Sequence, residues 1–207
     1  MSALPEVYEE PVEHTIPHEV FDRIDTERGS SAMKLMITNE AMLFIVLFFG
    51  YFFLSNGDPR WLSHEPPKLH KAIPMLAILL LSSVILYFGE RASKLKNYLV
   101  ARICIVVTII FGLSFLTLQV FEYKEHLKEM TPWSDAHGSM FYTITSLHGL
   151  HVTVGLLMLL YVLFLPELEA EEESPHKALH NAGMYWHFVD TVWVFIVGLM
   201  YVLPNIR

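Results

Sequence analysis

Three pairs of polar residues interrupt stretches of chain that are otherwise apolar: Gln119 with Glu122, His148 with His151, and His187 with Asp190. Each pair is spaced by three, so on a helix its members share one face. Imidazole and carboxylate groups can share a proton, and both can ligate a metal. Glu40 is a fourth such site, an acid with nothing else ionisable near it in its own stretch. The spacings His14/His18 and His176/His180 also suit a helix face.

Metal chemistry fits these residues poorly. A bis-histidine haem needs two axial ligands on facing helices. A di-iron site needs repeated Glu-x-x-His elements and several carboxylates. No Glu-x-x-His lies in the apolar stretches, and their only carboxylates are Glu40, Glu122 and Asp190. Those three acids lie at different depths, which argues against a proton path of the chain's own. The reading is therefore a satisfied internal polar network of Gln119, Glu122, His148, His151, His187 and Asp190. It includes no catalytic residue, no metal ligand and no cofactor. Glu40 has two compatible readings: a buried acid bonded to a neighbour, and a protonatable group beside lipid or at a proton entrance.

The elements that must position these residues follow from composition. The chain has 207 residues, 53% of them hydrophobic and 17% charged. Its mean hydropathy is +0.40. A typical soluble domain is about 25% charged, so there is too little polar surface here to coat a globule. Runs without Asp, Glu, Lys or Arg cover residues 41–57, 72–89, 103–121, 138–166 and 191–206. A bilayer core needs roughly 20 mostly apolar helical residues. Extending the first and last runs through Glu40 and Asp190 gives five membrane spans, at about residues 34–54, 72–88, 99–123, 139–165 and 182–203. The runs are continuously apolar rather than alternating, which selects helices over barrel strands. The fold class is an all-α polytopic bundle of five transmembrane helices, covering residues 33–207.

Residues 1–32 read as an acidic polar arm without the apolar core of a secretory signal. The net charge of -8 comes mostly from this arm and from the acidic run at 167–173. It excludes a nucleic-acid binder driven by bulk positive charge. The single cysteine, Cys104, supports no internal disulfide framework and no cysteine-based metal site. Five spans place the termini on opposite sides, and basic residues divide eight to six toward the N-terminal side. That balance favours a cytoplasmic N-terminus. At about 1.5 Å per residue, His151 and Asp190 fall at similar depth, each roughly 12 Å from the same membrane face. A His151–Asp190 contact is expected.

Three blocks carry a resemblance to a known family. The first is Ile37-Thr38-Asn39-Glu40-Ala41-Met42-Leu43-Phe44. The second joins Leu118-Gln119-Val120-Phe121-Glu122-Tyr123, Ser134-Asp135-Ala136-His137-Gly138 and Leu147-His148-Gly149-Leu150-His151-Val152. The third is Tyr185-Trp186-His187-Phe188-Val189-Asp190-Thr191-Val192-Trp193. Their order and spacing resemble subunit III of the haem–copper terminal oxidases, in its five-helix bacterial form. The resemblance implies a non-catalytic subunit of a cytochrome c oxidase in the cell membrane of a bacterium, its N-terminus cytoplasmic. It implies haem and copper in partner subunits I and II, direct packing on subunit I, and bound phospholipid. It also implies support of turnover stability, proton uptake and lipid or oxygen access. Subunit III of a quinol oxidase and a homologue associated with a nitric oxide reductase remain alternatives. A free-standing bis-histidine haem protein and a small transporter are more remote ones.

Two departures concern the lipid headgroup. The family commonly places a basic residue where Leu165 stands here, followed by Pro166 and the acidic run. It commonly places an acid near His180. Glu40, with His176, Lys177 and His180 as substitutes, forms the expected lipid- or proton-related set.

Overall fold

The computed structural model describes residues 18–57, 69–129, 133, 135–165 and 174–206. The acidic run at 167–173 and the arm before residue 18 lie outside the described residues. Within them every element is helical: α1 His18–Gly57, α2 Leu69–Lys94, α3 Tyr98–Glu129, α4 Ala136–Phe164 and α5 Ser174–Ile196. A π-helical stretch, Val197–Val202, continues α5 and leads into a short α6, Leu203–Ile206. Five segments are long and apolar enough to cross a bilayer: Gly29–Asn56, Lys71–Lys94, Tyr98–Leu127, Ala136–Phe164 and Lys177–Val202. Five were expected; all five segments begin before the corresponding uncharged runs, the second and third also end beyond them, and the first, fourth and fifth stop short of the runs' ends. Charged residues at the membrane surface continue a helix without interrupting it. At the N-terminal end, helical backbone already begins at His18, so residues 18–32 of the expected arm extend α1.

Local chemistry marks the ends. Asp135 caps α4, its carboxylate accepting from the Gly138 N–H at 2.7 Å. The cap satisfies one of the orphan amides of a helix N-terminus. The α2–α3 connection is a tight turn in which Lys96 N–H bonds Ser93 O and Asn97 N–H bonds Ala92 O. Lys96 adopts the left-handed conformation there, with φ 60°.

α5 is the centre of the bundle and packs against α1, α2 and α4, while α2 and α3 form a closely packed hairpin. Trp186 of α5 is fully buried. Its indole lies between Gly112 of α3 and Gly155 of α4; a Cβ at either position would come within 3 Å of the ring. Small residues let membrane helices approach where no hydrophobic force drives them together. The indole Nε1–H donates to Ser82 Oγ at 3.0 Å, so the polar edge of the ring is satisfied inside α2. By contrast, α1 exposes Val46, Phe49 and Phe53 on its outer side. An apolar outer face is what lipid or an apolar partner requires.

Candidate functional site

The polar side chains collect into four groups. The first joins α1 to α4. Glu40 Oε2 lies 3.2 Å from His151 Nε2, and His151 Nδ1 lies 2.7 Å from the Leu147 carbonyl. A carbonyl can only accept, so Nδ1 carries a proton. The contact at Nε2 then requires one more, held on the imidazole ring or on the carboxyl. The pair as a whole is neutral around one shared proton. Its side chains are 9% exposed for His151 and 25% for Glu40, and Phe44 packs edge-on against the imidazole. The expected His151–Asp190 contact does not form. Equal depth was not enough, because the two nitrogens of His151 are engaged by α1 and by its own helix.

The second group ties α3 to α4 through side-chain hydrogen bonds. Gln119 Nε2 donates to the Thr145 carbonyl at 2.8 Å and to Tyr123 Oη at 3.3 Å. Tyr123 Oη–H donates to Thr145 Oγ1 at 2.7 Å and also lies 3.2 Å from Ser146 Oγ. Glu122 points elsewhere. Its Oε1 accepts from Tyr201 in the π-helical stretch at 3.1 Å and lies 3.7 Å from His126 Nε2.

The third group lies in the core. His148 is completely buried, stacked on Trp193 at 4.9 Å and edge-on to Phe115 at 5.7 Å. Among the described residues, neither His148 nitrogen, neither Asp190 oxygen and not the Trp193 N–H has a hydrogen-bond partner. Unpaired buried polar atoms each cost on the order of 1–3 kcal/mol. His148 and Asp190 were expected inside a satisfied network; both are buried, and no hydrogen-bond partner for either stands among the described residues.

The fourth group includes Glu90, which the sequence reading passed over because it sits at the end of the second span. Glu90 Oε2 accepts from His180 Nδ1–H at 3.2 Å, and Glu90 Oε1 lies 3.9 Å from His187 Nε2. His187 Nδ1 is in turn 2.5 Å from Ser83 Oγ. Gly183, between the two histidines on α5, faces the Glu90 carboxylate closely enough that a Cβ would collide with it. The available signal was periodic: Ser83 and Glu90 are seven apart on α2, and His180, Gly183 and His187 follow one stripe of α5.

The expected lipid- or proton-related set is thereby divided. Glu40 belongs to the first group and His180 to the fourth. Lys177 is half-buried near the start of α5. His176 lies in the first turn of α5, and its side chain is outside the described residues. Among the described residues, no group of three or more His, Cys, Asp or Glu side chains converges as a metal ion would need.

Helix topology and site together define a polytopic membrane bundle in which several titratable groups pair between helices. The family model "Cytochrome c oxidase subunit III" matches residues 27–204, and the chain belongs to that family, the subunits III of the haem–copper oxidases. It is 33% identical over 172 residues to a cytochrome c oxidase subunit 3 of Synechocystis sp., covering 82% of this chain and 73% of that one. A probable cytochrome c oxidase subunit 3 of Mycobacterium bovis is 32% identical over 170 residues, 80% of this chain and 83% of its own length. The subunit of Heterololigo bleekeri is 34% identical over 180 residues, covering 82% and 68%. The resemblance read from the three sequence blocks is thus borne out at the level of the family. A subunit III is a membrane component of an oxidase complex with other subunits, in general without redox centres of its own.

Proposed function

We propose that this chain packs on subunit I of a proton-pumping oxygen reductase, with subunit II in the same complex, and preserves the enzyme during turnover without taking part in electron transfer. Haem and copper reside in those partners. The N-terminus is cytoplasmic, the C-terminus on the outer side of a bacterial inner membrane. Glu40 holds the lipid- or proton-related role, supporting proton uptake and the access of lipid and oxygen. Lys177, His176 and His180 contribute cationic or protonatable contacts to phospholipid headgroups.

The observation that carries this reading is the Glu40–His151 pair. It sits on the least enclosed helix, a quarter exposed at the carboxylate, so a membrane acid is held neutral as a pair yet reachable from outside the bundle. Such an intramembrane ionisable group is costly unless it serves something. The test is removal of this chain from the oxidase complex. Initial oxygen reduction should persist while the enzyme loses activity over fewer turnovers, and Glu40→Gln should reproduce part of that shortening. Immediate and complete loss of haem from the complex would contradict the supporting role.

A further inference from the structure

His148 and Trp193 meet face to face where α4 packs on α5, with ring centroids 4.9 Å apart and planes 24° from parallel. At that separation the rings are offset, so neither covers the edge of the other. Those edges carry three nitrogens, and among the described residues none of the three has a hydrogen-bond partner. His148 is 0% exposed and Trp193 1%. Phe115 of α3 stands nearly perpendicular to both rings, at 5.7 and 4.9 Å. Asp190 lies three residues before Trp193, on the same face of α5. It is buried too, and neither of its oxygens has a partner among the described residues. One helical turn separates it from the level of the stacked rings, about 4.5 Å along the axis.

The chemistry of these atoms selects what can join them. The Trp193 Nε1–H only donates, while a neutral imidazole donates at one nitrogen and accepts at the other. The Asp190 carboxyl accepts at its oxygens. Donors and acceptors therefore stand together. An anion would serve the N–H groups alone. A metal cation would serve only the bare imidazole nitrogen and the carboxyl. The face of Phe115 can take one N–H, yet it offers nothing to the accepting nitrogen. Water serves all of them, accepting from the N–H groups and donating to the imidazole nitrogen and the carboxyl. With hydrogen bonds of about 2.8 Å on each side, one molecule joins groups roughly 5.5 Å apart. Buried waters typically make about three hydrogen bonds to polar groups that would otherwise go unsatisfied.

We propose that the α4–α5 core holds bound water between the edges of His148 and Trp193, shared with the Asp190 carboxyl one turn along α5. The water is a structural ligand that satisfies polar atoms of both helices. Trp186 supplies the contrast. It sits seven residues before Trp193 on the same stripe of α5 and is equally buried. Its Nε1–H bonds Ser82 Oγ directly at 3.0 Å, so it needs no water. One helix thus carries a dry indole and a hydrated one. The inference is independent of the role proposed for Glu40.

The test is proton-detected solid-state magnetic resonance on the intact oxidase complex, nitrogen-labelled at tryptophan. The Trp193 indole signal is assigned by its loss in Trp193→Phe, and that of Trp186 by its displacement in Ser82→Ala. The Trp193 N–H should show a cross-peak to water protons that the Trp186 N–H lacks. His148→Phe keeps an aromatic ring against Trp193, replaces both nitrogens by carbon, and should abolish that cross-peak. A density map of the unmodified complex should place a water oxygen within about 3.2 Å of a His148 nitrogen and of Trp193 Nε1. That water, or a second one bonded to it, should also reach an Asp190 oxygen. A Trp193 N–H as dry as that of Trp186 overturns the proposal. So does a cross-peak that survives His148→Phe, or a map in which these side chains bond one another with no water between them. Where His148→Phe does not assemble, the cross-peak and the map of the unmodified complex decide. None of these outcomes bears on how long the oxidase survives turnover.

Discussion

Two histidine–carboxylate contacts at 3.2 Å, Glu40–His151 and Glu90–His180, share one pair chemistry and differ in everything around it. In the first, the imidazole is 9% exposed and its second nitrogen is pinned to its own helix. In the second, the imidazole is 46% exposed, and the carboxylate faces another histidine across a glycine. The first is closed on the histidine side: both His151 nitrogens are engaged, and the pair is reachable only through the partly exposed Glu40 carboxylate. The second is open at both ends. Pair distance alone therefore says little about role; what the remaining atoms touch decides it.

The largest effect expected from this contrast is on stability, at the closed pair. His151→Leu would strand Glu40 among apolar side chains, at a cost of about 3 kcal/mol, the lower end for a broken buried pair because the carboxylate is partly exposed. Adding Glu40→Leu to the same chain should recover most of that loss, since two apolar residues leave no uncompensated charge. Retention of the chain in the complex during a thermal series measures both. Equal damage from the single and double variants would mean that the pair is not the energetic unit. His180→Ala comes next, at about 0.5 kcal/mol, as expected for an ion pair with one exposed partner. A loss comparable to that of His151→Leu would erase the distinction between the two pairs.

The fold was legible because bilayer thickness and uncharged runs constrain each other. The five spans needed no contact information, and the largest shift of their ends, at the end of the second, runs through charged residues that extend a helix past the apolar core. The family blocks were legible too, but their letters mix tasks. Asp135 is a helix cap, Trp186 is a wedge between two glycines, and Glu40 pairs with His151 across the bundle. What sequence could not supply was the pairing between helices. His151 and Asp190 match in depth, yet depth fixes one coordinate and the rotation of each helix fixes the contact. Glu90 was missed for the opposite reason. A rule that searched for charges inside uncharged runs could not see an acid that ends one, although helix periodicity puts it on the Ser83 face.

The smallest stability effect belongs to Gly183→Ala, and it separates the two pairs most cleanly. A methyl group at residue 183 collides with the Glu90 carboxylate and not with backbone. The colliding atoms are the far end of a flexible side chain, so Glu90 can swing away at little cost. Replacing glycine within a helix gains up to about 1 kcal/mol in propensity, which offsets the lost contact to His180. The net change in complex stability should be within about 0.5 kcal/mol, the range of an ordinary surface substitution. The geometry should nevertheless change: Glu90 would leave both His180 and His187, while the Glu40–His151 contact between α1 and α4 stays as it is. Nitrogen-labelled histidine spectra of the intact complex would read this as altered His180 and His187 signals beside an unaltered His151 signal. A large loss of stability with all three signals disturbed would show that Glu90 is held as firmly as Glu40, and that the second pair is as closed as the first.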